Sequence, residues 1–132
     1  MTDKKLVQKA KEAAEKSYCP YSHFSVGAAL MTKSGKVFQG CNIENASFSP
    51  TCCAERTAFF KAISEGERDF LKIAIVGGIN GSFTDYCTPC GVCRQVMAEF
   101  CDRDFTVILG KDGDGIKSFS LGELLPHSFG LK

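Results

Sequence analysis

Three cysteines and one glutamate stand at spacings on which chemistry can be built. Cys53-Ala54-Glu55 places a carboxylate two residues after a thiol, and Pro89-Cys90-Gly91-Val92-Cys93 places two thiols three residues apart directly after a proline. Both stretches open what reads as a helix following a strand, the position at which open α/β sheets gather ligand sites. A helix N-terminus presents free N–H groups and the positive end of the dipole, which favour a thiolate over a thiol. Three thiolates from two helix starts fill three corners of a tetrahedron and leave the fourth open for water, as in a catalytic zinc centre. Glu55 lies close enough to exchange a proton with that water without ligating the metal.

Other uses of the cysteines fit the spacing less well. The chain has eight: Cys19, Cys41, Cys52, Cys53, Cys87, Cys90, Cys93 and Cys101. Its N-terminal stretch, MTDKKLVQKAKEAAEK, is charged throughout and lacks the apolar core of a signal peptide, so a cytoplasmic location is expected and disulfides are not. A redox Cys-x-x-Cys pair has no use for a third cysteine or a partnered carboxylate. A structural zinc would take a fourth protein ligand, for which Cys52 or Cys87 is available. Cys87-Thr88-Pro89-Cys90 is a second Cys-x-x-Cys overlapping the first; Cys90 with Cys93 is preferred because both sit on the helix start. Cys53 is preferred over Cys52 because only Cys53 has Glu two residues on. Cys19, Cys41 and Cys101 read as small buried hydrophobes.

Composition narrows the partner. The chain has 132 residues, which suits one domain over 1–132. Sixteen basic against fifteen acidic residues leave a net charge of +1, without the basic stripe that long nucleic acid requires. No apolar run approaches a bilayer span. A small ligand without a phosphate remains compatible with both observations.

The elements that must position the four residues follow from periodicity. Residues 3–16 predict a helix with Leu6, Val7, Ala10, Ala13 and Ala14 on one face, ended by Pro20. FSVGAALMT (24–32) and KVFQGCNI (36–43), joined by a short turn, predict an antiparallel hairpin. CAERTAFFKAISEG (53–66) predicts a second helix, with Ala54, Ala58, Phe59, Ala62 and Ile63 inward. LKIAIVGGI (71–79) is the near-continuous apolar run of a central strand covered on both faces. CGVCRQVMAEFC (90–101) predicts a third helix with Val92, Val96 and Phe100 inward. FTVILG (105–110) and IKSFS (116–120) predict two further strands, antiparallel because their connection is too short for a crossover. LGELL (121–125) closes as a short helix. The order αββαβαββα predicts an α/β layered fold on a five-stranded mixed sheet, with the second and third helices covering one or both faces.

The zinc deaminase pattern of His or Cys, one residue, Glu, and later Pro-Cys-x-x-Cys matches Cys53-Ala54-Glu55 and Pro89 to Cys93. The resemblance extends over nearly the whole chain. PYSHFSVGAAL (20–30), GCNIENASFS (40–49), CAERTA (53–58), PCGVCRQV (89–96) and ELLPHSF (123–129) resemble the small, homotetrameric type of cytidine deaminase. That resemblance implies a three-layer α/β/α fold, one Zn²⁺ per chain and a homotetramer. It also implies that Asn42 and Glu44 hold ribose hydroxyls, that Phe24 packs near the pyrimidine, and that Phe129 is offered to the base by a neighbouring subunit. Where relatives commonly carry Tyr in the Asn-Ala-x-Tyr segment, this chain has Phe48 and lacks that hydroxyl.

The chemistry this implies is hydrolytic deamination of free cytidine and deoxycytidine. Glu55 would carry a proton from water to N3 and then to the departing amine. The Ala54 and Glu55 amides would meet the O2 side of the ring, and the Thr88 carbonyl would accept from the amino group. Three thiolates leave the site negatively charged, and Arg56 and Gln95 are expected to offset this by hydrogen bonding to the sulfurs. Short loops leave no room to hold a polynucleotide, and Glu44 would repel a phosphate.

Overall fold

The computed structural model describes residues 1–132 and contains four helices and five strands. They run in the order α1 (Asp3–Ala14), β1 (Phe24–Thr32), β2 (Val37–Cys41), α2 (Ala54–Ser64), β3 (Phe70–Ile79), α3 (Gly91–Phe100), β4 (Thr106–Gly110), β5 (Ile116–Ser120) and α4 (Leu121–Leu124). The strands form one sheet in the order β2-β1-β3-β4-β5, and only β3 and β4 are parallel. That parallel pair is the one joined through a helix, as crossover geometry requires. Both short connections, β1–β2 and β4–β5, make antiparallel neighbours, as predicted.

Alternation along the strands assigns each helix to a face. Ala28 and Leu30 of β1, Ile73 and Ile75 of β3, and Val107 and Leu109 of β4 join Ala54, Ala58, Phe59 and Ala62 of α2 and Cys93 and Met97 of α3 in the larger core. The intervening residues Ala29, Met31, Ala74, Val76 and Ile108 point the other way, onto Leu6, Val7, Ala10 and Ala14 of α1. The fold is therefore a three-layer α/β/α sandwich. α2 and α3 share one face, and α1 alone covers the other. Phe59 anchors α2, its ring 5.1 Å from that of Phe70 and 6.0 Å from that of Phe105.

The inward face of α3 differs from the prediction. Cys93 and Met97 are buried, Val96 and Phe100 are half-buried, and Val92 is exposed. The helix is rotated so that Cys93 and Met97, rather than Val92, sit in the core beside α2.

Two glycines set how closely the helices lie on the sheet. A Cβ on Gly27 would fall 1.9 Å from the Ala10 carbonyl oxygen, and one on Gly40 would fall 2.4 Å from that of Ala54. Glycine there lets α1 and α2 sit directly on β1 and β2. At the chain start, the Thr2 hydroxyl caps α1 by accepting from Lys5 N–H at 3.2 Å. No helix is long and apolar enough to cross a membrane.

Candidate active site

Cys53 is the N-cap of α2 and Cys90 the N-cap of α3, and neither uses its side chain to cap. The helix starts thus leave both sulfurs free and bring them together. Cys53 Sγ lies 3.8 Å from Cys90 Sγ, and Cys90 Sγ lies 3.6 Å from Cys93 Sγ. All three sulfurs fall within 4.8 Å of one another. Zinc–sulfur bonds of about 2.3 Å in a tetrahedron put sulfurs about 3.8 Å apart, so the group is of the right size for zinc. Cys90 is exposed, Cys53 half-buried and Cys93 buried, which leaves one side of the cluster accessible.

The two alternative ligands lie outside this group. Cys52 is turned away by an isolated bridge: its N–H donates to the Ile43 carbonyl and its carbonyl accepts from the Ile43 N–H, both at 2.9 Å. Its sulfur accepts from the Thr57 hydroxyl at 3.7 Å. Cys87 packs over Gly77 on β3, where a Cβ would lie 2.7 Å from its sulfur and 3.0 Å from Phe24 Cε1. Burial pushes the Cys87 thiol up to about 11. Cys19, Cys41 and Cys101 are half-buried rather than buried.

Glu55 is 4% exposed, and its Oε1 is buried with no hydrogen-bond partner. Desolvation raises its carboxyl to about 7, with the Cys53 charge adding to the effect. A buried carboxyl with an idle oxygen beside three clustered thiols is expensive as structure alone. Perturbed carboxyls of this kind cluster at functional sites.

Arg56 donates from Nη2 to Cys53 Sγ at 3.2 Å, as anticipated. The hydrogen bond shared with Cys93, followed by that from Arg56, holds Cys53 down at about 5 against the cost of burial. The same shared proton, together with burial, raises Cys93. The Arg56 guanidinium is held charged, chiefly by its hydrogen bond to Cys53.

Gln95 departs from the expectation. Its Nε2 donates to the Phe129 carbonyl at 3.0 Å rather than to a sulfur. Residue 95 lies on the exposed side of α3, away from the buried face that carries Cys93. The contact instead tethers the C-terminal tail, on which the Phe129 ring is 68% exposed.

Asn42 holds the first residues of β1, and Glu44 holds the segment that leads into it. Asn42 is buried; its Oδ1 accepts from Val26 N–H at 2.9 Å and its Nδ2 donates to the Phe24 carbonyl at 2.8 Å. This pairing fixes the orientation of the carboxamide and leaves one N–H unused. Glu44 accepts from the Tyr21 and Ser22 amides at 3.0 and 3.2 Å and from the Ser22 hydroxyl. The Ser22 hydroxyl, followed by those amides, pulls the Glu44 carboxyl below its usual range. Tyr21, Ser22, Glu44, Asn45, Phe48 and Thr51 line an open cleft of about 400 Å³. Phe48 is 83% exposed at its rim.

Arg94 is a positioning residue that the spacing did not single out. Its Nε donates to the Pro89 carbonyl at 2.7 Å and its Nη1 to the Leu124 carbonyl at 2.6 Å. It thereby ties the turn before Cys90 to α4. Nothing in the local sequence separates it from a solvated helix arginine, because both acceptors are backbone groups and one lies thirty residues away.

Known proteins are similar to this chain over nearly its whole length. Residues 1–109 match the family described as cytidine and deoxycytidylate deaminase zinc-binding region. The chain is 46% identical over 129 residues to a cytidine deaminase of Sporosarcina psychrophila, covering 98% of this chain and 92% of that one. It is 51% identical over 124 residues to one of Halalkalibacterium halodurans, covering 94% and 91%. The crystal structure of cytidine deaminase from Burkholderia pseudomallei superposes with a TM-score of 0.90 at 47% identity, covering 98% of this chain and all of the other. The chain belongs to the cytidine deaminase family, with the zinc-binding region that defines it.

Proposed function

We propose that this protein hydrolyses free cytidine and deoxycytidine to uridine and deoxyuridine with release of ammonia. The observation that carries the reading is the buried Glu55 carboxyl, with one oxygen unpartnered, beside the Cys53, Cys90 and Cys93 sulfurs. The relatives are named as cytidine deaminases over nearly their whole length, and this supports the same substrate class here.

Cys53, Cys90 and Cys93 would hold a Zn²⁺ ion, which would supply Lewis-acid activation of water. Glu55 takes a proton from the attacking water and delivers it to N3 of the cytosine ring while the oxygen adds to C4. It then carries the second proton from the added oxygen to the amino group, which leaves as ammonia. The C4–N bond breaks, a C4–O bond has formed, and Glu55 ends as it began. A carboxyl that burial shifts up toward the neutral range suits both roles. The Ala54 and Glu55 amides, at the start of α2, meet the O2 edge of the ring. The Thr88 carbonyl, set by Pro89, accepts from the amino group. Arg56 offsets the charge of three thiolates through its contact with Cys53.

Asn42 and Glu44 are proposed to hold the sugar hydroxyls. Asn42 keeps one N–H beyond its two backbone contacts, and Glu44 stays ionised beside the cleft. Phe24, over Gly77, faces the pyrimidine. The exposed Phe129 completes the site of a neighbouring subunit in a homotetramer, and the enzyme works in the cytoplasm.

The test is the ultraviolet absorbance change on cytidine loss, with and without a zinc chelator, repeated with deoxycytidine, cytosine and CMP. Turnover of both nucleosides, abolished by chelation and far exceeding that of the base and the nucleotide, is expected. Preference for CMP or cytosine would overturn the nucleoside reading.

A further inference from the structure

The loop from β3 to α3, residues 80–90, delivers Cys90 to the metal cluster, and it is fastened by contacts for which the deamination chemistry has no use. Asp112 holds Phe83 at both backbone groups: the Phe83 N–H donates to Asp112 Oδ2 at 3.0 Å, and the Phe83 carbonyl accepts from the Asp112 N–H at 2.8 Å. Three residues on, the Tyr86 ring is met by two cations. Lys111 Nζ lies 4.9 Å and Lys117 Nζ 4.8 Å from its centroid.

All three partners come from the β4–β5 hairpin. Lys111 follows β4 directly, and Lys117 stands in β5 opposite Leu109. The hairpin is closed by the Lys111 N–H donating to the Gly115 carbonyl at 3.2 Å. A Cβ on Gly115 would fall 2.6 Å from Lys111 Cε and 3.0 Å from the Tyr86 hydroxyl. The missing side chain lets the lysine fold across and the tyrosine approach.

Neither lysine takes part in an ion pair, although the chain has five. Two ammonium groups around one ring repel each other, and attraction to the negative ring face is what opposes that repulsion. Tyr86 is half-buried against the larger core, so its ring is held from inside as well as from outside. Arg94 fixes the far end of the segment at Pro89. The clasp on Tyr86 fixes the near end, and Cys87 and Thr88 lie between the two.

We propose that the β4–β5 hairpin braces the metal-bearing loop, and that Tyr86, clasped by Lys111 and Lys117, is a positioning residue that sets where Cys90 stands relative to Cys53 and Cys93. The proposal rests on Cys90 being a zinc ligand. It gives the hairpin a part in metal retention, although none of its side chains reaches the cluster.

The test follows zinc release from the loaded protein to a chromogenic chelator, comparing the parent with Tyr86→Phe, Tyr86→Leu and the surface double variant Lys111→Met/Lys117→Met. Tyr86→Phe keeps the ring and should release zinc within about twofold of the parent. Tyr86→Leu and the lysine variant should release it about tenfold faster, with unchanged circular dichroism. Their cobalt(II)-loaded forms should show shifted ligand-field bands, which a general loss of stability would not produce in the folded protein. Parental release and spectra in both variants would overturn the brace; the lysine variant alone decides if Tyr86→Leu does not fold. Cys90→Ser separates the two levels. If it keeps zinc at the parental rate, the ligand assignment falls and takes the brace with it. If it loses zinc while the other variants behave like the parent, the ligand stands and only the brace falls.

Discussion

Arg56 Nη2 stands 3.2 Å from Cys53 Sγ, one turn along the helix that Cys53 itself caps. The contact joins a guanidinium to the sulfur two residues before Glu55. Three thiolates on a divalent ion would leave a net negative charge and so weaken its effect on water. Arg56 returns a positive charge at hydrogen-bond distance.

Replacing Arg56 by Ala should therefore lower kcat by about 10- to 100-fold while the protein keeps about one zinc per chain. Metal analysis beside steady-state kinetics checks this. Arg56→Lys should recover part of the loss, because charge returns without the planar fork. An unchanged kcat in the alanine variant would remove Arg56 from the site.

Glu55→Ala should cost about two to four orders of magnitude in kcat, the range for a positioned general acid–base. It should leave the zinc content and the fold intact. Glu55 has a buried, unpartnered oxygen, so its removal is not expected to lower the thermal midpoint. Near-parental turnover would defeat the proposed proton transfer.

Glu44→Gln addresses the sugar side. Glu44 should act mainly on binding, raising KM more than it lowers kcat. Its carboxyl is depressed in the folded chain by Ser22 and the Tyr21 and Ser22 amides. A depressed folded value means that the charged form contributes stability above the unfolded pKa, and that this is lost as pH falls through the folded one. The stability gap between parent and variant should therefore be full at neutral pH and close below the ordinary carboxylate range. Urea midpoints measured from pH 7 downward would reveal it.

Gly40→Ala tests the seating of α2. The added carbon would fall 2.4 Å from the Ala54 carbonyl oxygen and 2.5 Å from the Ala58 nitrogen, both backbone atoms that cannot rotate away. Destabilisation of about 1–3 kcal/mol is expected from overpacking. Activity should fall further than stability alone explains, because α2 carries Cys53, Glu55 and Arg56 together. Denaturant unfolding beside kcat/KM at a temperature where the variant is fully folded separates the two.

Local pattern alone determined a good deal of this protein. Cys53, Glu55, Cys90 and Cys93 were legible because a helix start imposes short fixed spacings on its residues, and metal chemistry needs such spacings. All nine elements were legible because periodicity and turn residues act over a few neighbours. The two antiparallel hairpins followed from connection length. Tertiary structure decided what depends on residues far apart in the chain. It put α2 and α3 on one face with α1 on the other: strand alternation defines the two faces, and only packing shows which helix covers which. It rotated α3 so that Cys93 rather than Val92 faces inward, because the cluster with Cys53 forms only across two helices. It left Cys52 and Cys87 outside the three-sulfur group, in contact with Ile43 and Gly77. It sent Gln95 to the Phe129 carbonyl, and it gave Arg94 and the Lys111–Tyr86–Lys117 clasp their positions. Those partners are backbone groups or distant side chains, and no local spacing encodes them.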